Sequence, residues 1–330
     1  MRILVTGATG LLGNNIVRQL VDEEHKVRVL VRASSDRRPL EGFPVEIIEA
    51  ELGAERPLAD AIRNVDQVIH SAALVHIGWK KLAESRRANV EGTRALAKAA
   101  LIAGIRFLHV STVDTLGVSG DETPLDEDSP PGEKVPCSYV VSKTEAEQAV
   151  HELIEEGLDA SIVHPGFMLG PWDWKPSSGR MLLEVAKRWT PIAPTGGGCV
   201  ADVRDVASGV IKAMQSGQTG RHYILGGENI SYFELWKIMA DVAHSGKPFM
   251  PLGPMLRGLA SLSTNAWTAI SGKEGDVNSA AIKMGTQFHY YSSQRAKEEL
   301  GYQTRPPRES VEDAWNWFVA NGYATERKAG

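Results

Sequence analysis

Short apolar runs alternate with longer amphipathic segments along the first two thirds of the chain. Each run is compact and rich in β-branched residues, which is typical of strands buried on both faces of a parallel sheet. The predicted strands are residues 3–6, 27–31, 45–48, 68–70, 107–111, 160–164 and 221–225, and the predicted helices between them are 11–24, 57–64, 86–104 and 139–156. This alternation predicts an α/β fold, a Rossmann doubly wound parallel sheet with right-handed crossovers.

The regular alternation stops after Pro165. Proline, glycine and tryptophan concentrate in residues 165–198, and regular patterns return at 200–215, 232–243, 293–300 and 310–321, with Ser231 as an N-cap. We expect the irregular inserts to form a smaller C-terminal substrate-binding cap at the carboxyl ends of the strands, where open α/β sheets bind ligands. The predicted Rossmann domain is residues 1–164 and 200–226, and the predicted cap with its closing helices is residues 165–199 and 227–330.

Composition changes this picture only by exclusion. The chain has 330 residues, a formal net charge of −5 and no run of Lys or Arg, so we expect no nucleic-acid partner. Two cysteines are too few for a disulfide framework, and the first strand begins without a leader pattern, so we expect a cytoplasmic protein. Proline, glycine and arginine interrupt the apolar stretch at 250–270, where we expect a lid rather than a membrane span.

A glycine-rich turn joins the first predicted strand to the first predicted helix, with its glycines spaced G-x-x-G-x-x-G. Gly7 permits a tight turn, Gly10 lets backbone N–H groups approach a pyrophosphate, and Gly13 allows the helix to pack closely on the sheet. A helix N-terminus also attracts phosphate groups. We therefore predict a nicotinamide-dinucleotide site formed by Gly7, Thr9, Gly10, Leu11, Leu12 and Gly13.

The residues after the second predicted strand bear on which nicotinamide cofactor binds. A carboxylate usually receives the ribose hydroxyls of NAD at this position, but the chain has Arg32 there, followed by Arg37. A guanidinium suits the 2′-phosphate of NADP. We therefore expect NADP as the cofactor, with Asp36 keeping NAD as the alternative.

Three further stretches are predicted to line the cofactor. Glu51 and Leu52 follow the third strand, where they could meet the adenine amino group. Ala72 and Ala73 follow the fourth strand and offer small side chains where the dinucleotide passes close to the backbone. Asn89 opens a helix on the same side. Each signal alone is ordinary strand-end chemistry, and their order along the chain is what indicates a cofactor bed.

Tyr139 and Lys143 stand four residues apart at the start of a predicted helix, so their side chains share one face. A free tyrosine has a pKa of about 10. We expect the neighbouring ammonium to lower that pKa, which would make proton exchange efficient near neutral pH. The lysine could also hydrogen-bond the ribose hydroxyls of the cofactor. The fifth strand ends at Ser111 and Thr112, and either hydroxyl could donate to a carbonyl oxygen beside Tyr139.

These motifs, in this order, resemble those of the extended short-chain dehydrogenase/reductase superfamily over essentially the whole chain. The dihydroflavonol 4-reductase-like branch, with its bacterial hopanoid-associated sugar epimerase homologues, is the most similar. The resemblance rests on residues 6–13, 27–32, 89–93, 139–143, 164–166, 203–207, 223–227 and 299–302. Two positions depart from the family pattern: Glu51 stands where Asp is usual, and Asp202 where His is common.

The resemblance implies roles for particular residues. It implies Thr112 as the catalytic hydroxyl and a contact between Arg32 and the 2′-phosphate of NADP. It implies that Pro165 and its neighbours Gly166, Phe167 and Met168 flank the nicotinamide. It also suggests a homodimer through the helices at 86–104 and 139–156.

The substrate is expected between the strand ends and the cap. An aromatic lining there would suit a hydrophobic or aromatic carbonyl compound or alcohol, although each Trp and Phe could equally be an ordinary core residue. We expect no metal. The candidate substrate contacts are His76, Trp79, Thr112, Phe167, Met168, Trp172 and Trp174.

We hypothesise reversible hydride transfer between NADP(H) and a carbonyl or secondary alcohol, with Tyr139 as acid/base, Thr112 polarising the carbonyl oxygen and Lys143 tuning Tyr139. One alternative is a nucleotide-sugar epimerase or dehydratase that retains NAD and returns the hydride within one cycle. His76 and Asp114 are candidates for the extra acid/base residue that this alternative needs. The other alternative is a non-catalytic dinucleotide-sensing protein.

Overall fold

A computed structural model describes residues 1–52, 55–187, 189–252 and 278–325, and only the backbone of residues 55–57. Its strands are β1 (Arg2–Thr6), β2 (Lys26–Val31), β3 (Val45–Glu49), β4 (Gln67–His70), β5 (Arg106–Val110), β6 (Ala160–Pro165), β7 (Phe167–Leu169), β8 (Ile192–Ala193), β9 (Gly197–Asp202), β10 (His222–Leu225), β11 (Glu228–Ser231), β12 (Met250–Pro251) and β13 (Phe288–His289). Seven of them form a parallel sheet in the order β10-β6-β5-β4-β1-β2-β3. The order reverses beside β1, as it does in a doubly wound sheet, and the predicted fold class is confirmed.

The described chain also contains helices, some of which cover the two faces of this sheet. They are α1 (Leu11–Asp22), α2 (Glu55–Ile62), α3 (Leu82–Ser85), α4 (Gly92–Ala103), α5 (Ser138–Glu155), α6 (Arg180–Lys187), α7 (Val203–Ser216), α8 (Tyr232–Val242), α9 (Ser279–Met284), α10 (Gln294–Leu300) and α11 (Pro307–Ala320). The helix predicted at 86–104 begins earlier, because α3 and a π-helical turn at Arg86–Glu91 lead into α4. Gly104 ends α4 with a φ of 64°, a backbone conformation that favours glycine.

The main sheet is buried between two apolar layers. On one face α1 and α7 pack together through side chains such as Ile16 and Val206. On the other face Leu96 of α4 and Val150 of α5 form part of a second cluster. One strand departs from the prediction of burial on both faces: Ile47 of β3 is 38% exposed. This strand lies at one edge of the sheet, with β2 on one side and no strand on the other in the described chain.

Beyond β6 the chain builds a second, smaller sheet. Its central strand, β9, pairs with β7, β11 and β13. Helices α6, α8 and α11 pack around a separate apolar cluster that includes Leu182, Leu235 and Phe318. Ser231 caps α8 as predicted, accepting the N–H of Glu234 at 3.2 Å. The predicted boundary at 199/200 falls inside β9, and the division into two domains stays a prediction.

Within the described part of the chain, no helix combines the length and the apolar character that a membrane crossing requires. Most of the predicted lid at 250–270 lies outside the described residues, which stop at 252 and resume at 278. The residues of the candidate site that the structure describes lie at the carboxyl ends of the main strands and on the second sheet.

Candidate active site

The glycine loop turns sharply between β1 and α1. Gly7 has a φ of 72°, and a Cβ at this position would lie 2.8 Å from the backbone nitrogen of Ala72. A Cβ at Gly13 would overlap the carbonyl oxygen of Gly7. Both positions therefore require glycine: the first for a left-handed turn against the β4 loop, the second for the close approach of α1 to that turn.

Gly10 differs because the protein leaves space beside it. Among the described residues, a Cβ there would have one neighbour within 4 Å, the carbonyl oxygen of Gly7 at 3.3 Å. Gly10 is the N-cap of α1, which has no side-chain cap and no acidic residue in its first turn. The first-turn N–H groups of α1, including those of Leu11 and Leu12, thus lack partners within the helix. The half-buried Thr9 immediately precedes Gly10 in the same turn. A pyrophosphate fits this cradle, because it supplies both the acceptors and the negative charge.

The end of β2 carries one free and one paired arginine. Arg32 is exposed, and its side chain forms no hydrogen bond or ion pair with the residues that the structure describes. Arg37 is ion-paired with Glu49 at the end of β3. Asp36 accepts hydrogen bonds from Arg38, with 2.6 Å between Nη2 and Oδ2, and these bonds lower the pKa of the Asp36 carboxyl. The Asp36 carboxylate is thus already paired with Arg38, whereas the Arg32 guanidinium remains available to a ligand.

The other predicted cofactor residues lie at the same edge of the sheet. Ala72 is half-buried and Ala73 exposed after β4, while Glu51 is exposed after β3. Leu52 packs closely against Gly92. A Cβ built on Gly92 would lie 2.8 Å from the Cβ of Leu52. Because the carboxyl ends of parallel strands meet at one edge, residues that are distant in sequence are brought together here.

Asn89 joins the loop after β4 to α5. Its Oδ1 accepts the N–H of Leu74 at 2.7 Å, and its Nδ2 donates to the Leu74 carbonyl at 3.0 Å and to Ser142 Oγ at 2.9 Å. The side chain is buried, and these contacts fix the loop after β4 against α5. Its predicted contact with the cofactor stays a prediction.

Thr112 and Ser111 follow β5 and point in different directions. The Thr112 hydroxyl donates to Asp114 Oδ2 at 3.1 Å and accepts the N–H of Asp114 at 3.3 Å. It also acts on Tyr139, lowering the pKa of the phenol. The Ser111 hydroxyl donates to Glu147 at 2.5 Å. Of the two hydroxyls that the sequence left open, Thr112 is therefore the one beside Tyr139.

Lys143 lies one turn after Tyr139 on α5 but is directed toward the end of β5. Its Nζ donates to the Val110 carbonyl at 2.7 Å and lies 3.4 Å from Nε2 of His109. The side chain is buried, and this desolvation lowers the pKa of Lys143 to about 8, with Glu147 acting in the opposite direction. The ammonium is thus held by a backbone carbonyl.

The predicted effect of Lys143 on Tyr139 is wrong for this arrangement. The pKa of Tyr139 is raised rather than lowered, first by burial and then by the Asp114 carboxylate, while the Thr112 hydroxyl acts in the opposite direction. Lys143 is not among the groups that shift it. The physical reason is that desolvation and a neighbouring carboxylate both favour the neutral phenol.

A cluster of polar side chains that includes Glu147, His164 and His222 contacts the backbone of Thr112. Glu147 accepts the hydroxyl proton of Thr115 at 2.9 Å, Nδ1 of His164 lies 3.1 Å from the Thr112 carbonyl oxygen, and Nε2 of His164 lies 2.8 Å from Nδ1 of His222. Ligand atoms of Glu147, His164 and His222 fall within 4.8 Å of one another, a spacing that could hold a metal ion. Because all three side chains are hydrogen-bonded within the cluster, the geometry favours a polar support over a metal centre.

Four of the predicted substrate residues form two groups, and the first lies on the loop after β4. His76 is half-buried and Trp79 is 45% exposed on the loop after β4. This loop is fastened to α5, because the N–H of Ser138 donates to the Gly78 carbonyl at 2.8 Å. The Trp79 indole donates to a serine of α9 at 2.8 Å. The structure thus brings this loop to the start of the helix that carries Tyr139.

The second group contains Trp172 and Trp174, whose rings are engaged elsewhere. The guanidinium of Arg18 in α1 lies 4.3 Å from the centroid of the Trp172 ring. The Trp174 ring meets Trp317 of α11 edge-on, with 5.2 Å between centroids. These contacts join the cap segment to α1 and α11, so they favour packing over the predicted contact with substrate.

Four predicted nicotinamide neighbours run from β6 into β7. Pro165 is buried, and a Cβ on Gly166 would overlap the carbonyl oxygen of Cys199 in β9. Phe167 and Met168 are half-buried, the first against the cap cluster and the second against the main core. This segment lies where the main sheet gives way to the second sheet, and its contact with a nicotinamide stays a prediction.

The sequence patterns missed His289 and gave little weight to Asp114. Nδ1 of His289, on β13, lies 3.3 Å from Oδ1 of Asp114. Nε2 of His289 is buried without a hydrogen-bond partner among the described residues. No local signal marks this pair, since its members are far apart in sequence and follow strands of different sheets.

The glycine loop, Thr112, Tyr139 and Lys143 together define an NAD(P)-dependent enzyme of the short-chain dehydrogenase/reductase type. Residues 3–226 match the model of the NAD dependent epimerase/dehydratase family, and the chain belongs to that family.

Similar proteins agree with this assignment over nearly the full length. A Synechocystis sp. (strain ATCC 27184 / PCC 6803 / Kazusa) protein named "Putative dihydroflavonol 4-reductase" is 35% identical, with 97% of this chain and 95% of that protein covered. "Sterol demethylase protein B" of Methylococcus capsulatus (strain ATCC 33009 / NCIMB 11132 / Bath) is 30% identical, covering 98% and 99%. The crystal structure of gox2253 superposes with a TM-score of 0.85 at 36% identity, covering 97% of this chain and 98% of that one.

Proposed function

We propose that the protein transfers a hydride reversibly between NADP(H) and a ketone, aldehyde or secondary alcohol. The observation that carries this proposal is the placement of Thr112, which follows β5, beside Tyr139 of α5, with Lys143 buried on the same helix. The bound nicotinamide would supply or accept the hydride. The residues of the chain would position the reacting carbonyl and exchange its proton.

Tyr139 is suited to donate a proton to a carbonyl oxygen. Burial and Asp114 raise its pKa, so the phenol is neutral near pH 7 and carries the proton that reduction requires. Thr112 orients this phenol and can hydrogen-bond the same substrate oxygen. Lys143 places a positive charge beside the site below its pKa of about 8, where it would favour negative charge that develops on Tyr139 or the substrate.

The proposed preference for NADP rests on the end of β2. Arg32 is exposed and unpaired within the described chain, whereas Arg37 is held by Glu49. We expect Arg32→Ala to weaken NADPH binding by about 10- to 100-fold, because a charge-assisted contact with phosphate is worth about 1.5–3 kcal/mol. NADH affinity should stay within about twofold, since NADH lacks the 2′-phosphate.

Fluorescence titration of both nucleotides measures this preference. Arg37→Ala is the matched control, and we expect it to change NADPH affinity less than Arg32→Ala does. Equal losses of NADPH and NADH affinity in Arg32→Ala would contradict the assignment to the 2′-phosphate.

The fate of the nucleotide separates the two enzymatic functions. We would denature the purified protein, identify any released nucleotide, and titrate nucleotide-free protein with NADPH and NADH. Weakly held nucleotide with a preference for NADPH supports an exchanging reductase. Stoichiometric, tightly retained NAD would contradict it and favour a nucleotide-sugar epimerase or dehydratase, for which the Asp114–His289 pair would be the additional acid/base group.

The proposed substrate class is a largely apolar ring ketone or the corresponding alcohol. Trp79 and His76 lie on the loop that is hydrogen-bonded to the start of α5, and the names of two relatives concern a dihydroflavonol and a sterol. A suitable panel is dihydroquercetin, cholestan-3-one and ethyl 2-methylacetoacetate, assayed with NADPH and monitored at the nicotinamide absorbance. Reduction of the two ring ketones in preference to the open-chain ester is the expected result.

The proposed homodimer would use α4 and α5. Ile102 of α4 is 79% exposed, an apolar side chain on the surface where the resemblance places a partner. Light scattering coupled to size-exclusion chromatography would measure the mass. A monomer at micromolar concentration would contradict this proposal.

A further inference from the structure

The face of α5 that carries Tyr139 and Lys143 also carries Glu147. These three residues stand four positions apart along the helix, so their side chains lie on one side of it. This side meets the segment that follows β5. Lys143 Nζ donates to the Val110 carbonyl at 2.7 Å, and Glu147 accepts the hydroxyl proton of Ser111 at 2.5 Å. Of the three residues, Glu147 is the one to which the proposed function assigns no role.

A single oxygen of Glu147 binds residues on both sides of Thr112. Its Oε2 accepts the Ser111 hydroxyl at 2.5 Å and the Thr115 hydroxyl at 2.9 Å. Ser111 directly precedes Thr112, and Thr115 ends the short turn at Val113–Thr115 that Thr112 caps. Thr115 Oγ1 also lies 2.8 Å from the Thr112 carbonyl oxygen. The backbone that carries the Thr112 hydroxyl is therefore tied to α5 at two points.

The Glu147 carboxyl group is a strong acceptor because it is ionised inside the protein. Its side chain is 14% exposed. Burial alone would raise the pKa of this carboxyl, but His164, His222 and the two hydroxyls outweigh that effect, and the pKa is lowered. Hydrogen bonds to an ionised acceptor are about twice as strong as those between neutral groups. The carboxylate can therefore fix the two hydroxyls, and the backbone between them, against the helix.

We propose that Glu147 is a positioning residue, which holds the Thr112 hydroxyl beside Tyr139 through its hydrogen bonds with Ser111 and Thr115. The inference rests on the proposed function, since it concerns the hydroxyl that would polarise the reacting carbonyl. Because Tyr139 and Glu147 belong to one helix, the proton donor and the group that places its partner share a rigid element. Glu147 acts through Thr112 and takes no part in proton transfer.

The direction of the surrounding contacts favours positioning over a role in stability alone. Besides the two hydroxyls, Nδ1 of His164 lies 3.1 Å from the Thr112 carbonyl oxygen. His164 follows from β6, so the contacts with this short segment come from two different elements. A backbone fixed from two sides by buried polar groups has little freedom to shift. These contacts thus converge on the residue whose hydroxyl must be aligned with the substrate.

Steady-state kinetics on the full-length protein test the proposal. The reaction would use NADPH and whichever ketone of the panel wild-type protein reduces fastest. Glu147→Ala removes the shared acceptor. The double variant Ser111→Ala/Thr115→Val removes both donors and leaves the carboxylate in place, so it separates the two hydrogen bonds from the charge of Glu147.

Two further variants are controls. Glu147→Gln is the conservative change, because a carboxamide oxygen can still accept both hydroxyls. Ser161→Ala is the matched control for Ser111→Ala. It also removes a buried hydroxyl from the main sheet, one that donates to the Ala213 carbonyl at 3.3 Å in β6.

The expected loss is in kcat and not in cofactor binding. We expect Glu147→Ala and the double variant to lose about 100-fold in kcat, the cost of misplacing a catalytic group by about 1 Å. NADPH affinity should stay within about threefold, because the glycine loop is unchanged. Glu147→Gln should keep kcat within about threefold of wild type, and Ser161→Ala within about twofold.

A double-mutant cycle with Thr112→Val distinguishes positioning from stability. Removing the Thr112 hydroxyl should itself lower kcat by about 100-fold. If Glu147 acts through that hydroxyl, adding Ser111→Ala/Thr115→Val should lower kcat by no more than about threefold further. A role in stability alone would lower kcat by the same factor whether or not the Thr112 hydroxyl is present.

Two results would overturn the inference. Wild-type kcat in Ser111→Ala/Thr115→Val would show that Thr112 keeps its position without these bonds. Equal losses with and without the Thr112 hydroxyl would assign the bonds to the stability of the fold. If the double variant does not fold, Thr115→Val alone enters the cycle, since it keeps the Ser111 bond.

The same measurements separate this inference from the proposed function. Failure of wild-type protein to reduce any panel ketone would contradict the proposed function, and this inference would fall with it. Active wild-type protein whose kcat is unchanged by the variants would contradict only the role of Glu147.

Discussion

In the glycine loop, consecutive residues at the junction of β1 and α1 form the cradle, whereas the groups around Tyr139 come from three separate segments. Gly7 and Gly13 are fixed by contacts with backbone only a few residues away, or with the adjacent β4 loop. Around Tyr139, Thr112 follows β5 and His289 lies on β13 of the second sheet. The glycine loop is therefore a local structure, whereas the arrangement of the residues around Tyr139 depends on how the two sheets meet.

This difference has an energetic consequence. A local cradle is disrupted by a single methyl group in the wrong place, because backbone atoms cannot move aside. The site around Tyr139 instead consists of buried polar groups whose charges depend on one another, such as Lys143, Glu147 and Asp114. Substitutions there should act mainly through protonation and turnover. The following predictions test that contrast.

The largest stability effect is expected from Gly13→Ala. Its Cβ would overlap the Gly7 carbonyl, so we expect a loss of about 3 kcal/mol in the free energy of unfolding, at the upper end of overpacking effects. Gly10→Ala is the control within the same loop, because its Cβ meets only one backbone oxygen at 3.3 Å among the described residues. We expect Gly10→Ala to retain wild-type stability within about 0.5 kcal/mol.

NADPH affinity should distinguish these two glycines further. Gly10→Ala should weaken binding by about tenfold or more, since its methyl group occupies the proposed approach of the pyrophosphate. Denaturant titration and NADPH fluorescence measure the two quantities separately. Equal destabilisation by both substitutions would contradict the view that Gly13 serves packing and Gly10 serves the ligand.

A pH-dependent stability difference is expected from Lys143→Met. Burial lowers the pKa of Lys143 from 10.5 to about 8 in the folded chain. Between about pH 8 and pH 10.5, Lys143 binds a proton in the unfolded chain but not in the folded chain. The free energy of unfolding of wild type, relative to that of the variant, therefore rises with pH. The full change is about 3 kcal/mol and is completed near pH 10.5. Below about pH 8 the difference should be independent of pH. A flat difference across pH 7–10.5 would contradict the buried ammonium.

Two tryptophans provide the smallest and most selective comparison. Trp172→Ala should destabilise the protein by about 1–2 kcal/mol, because it removes the cation–π contact with Arg18 and buried ring area. Its KM for ring ketones should stay within about twofold. Trp79→Ala should do the reverse, raising KM about tenfold with little change in stability, since its ring lies 45% exposed beside the site. A raised KM in Trp172→Ala and a loss of stability in Trp79→Ala would contradict the assignment of Trp172 to packing and of Trp79 to substrate binding.

The sequence was sufficient where the structural cause is local or periodic. Apolar runs located the strands of the parallel sheet, and the glycine spacing located the turn before α1, because backbone conformation there depends on adjacent residues. Ser231 was recognised as an N-cap for the same reason. The edge position of β3 was missed, since a run such as 45–48 does not reveal whether a second neighbouring strand exists.

The candidate site was less accessible to sequence reasoning where long-range contacts decide. Trp172 and Trp174 have the composition of a substrate wall, but Arg18 and Trp317 engage their rings. The spacing of Tyr139 and Lys143 gave the shared helix face, whereas the raised pKa of Tyr139 depends on burial and on Asp114. His289 meets Asp114 only because β13 pairs with β9.

The central claim, hydride exchange between NADP(H) and a carbonyl with Tyr139 as proton donor, is tested most directly by isotope transfer. NADPH that carries deuterium at both C4 positions of the dihydronicotinamide would be incubated with each ketone of the panel and wild-type protein, and the products analysed by mass spectrometry. We expect one deuterium in the alcohol with wild type. With Tyr139→Phe we expect a loss of about 100-fold or more in rate at unchanged NADPH affinity. Products without deuterium, or full activity in Tyr139→Phe, would contradict the claim.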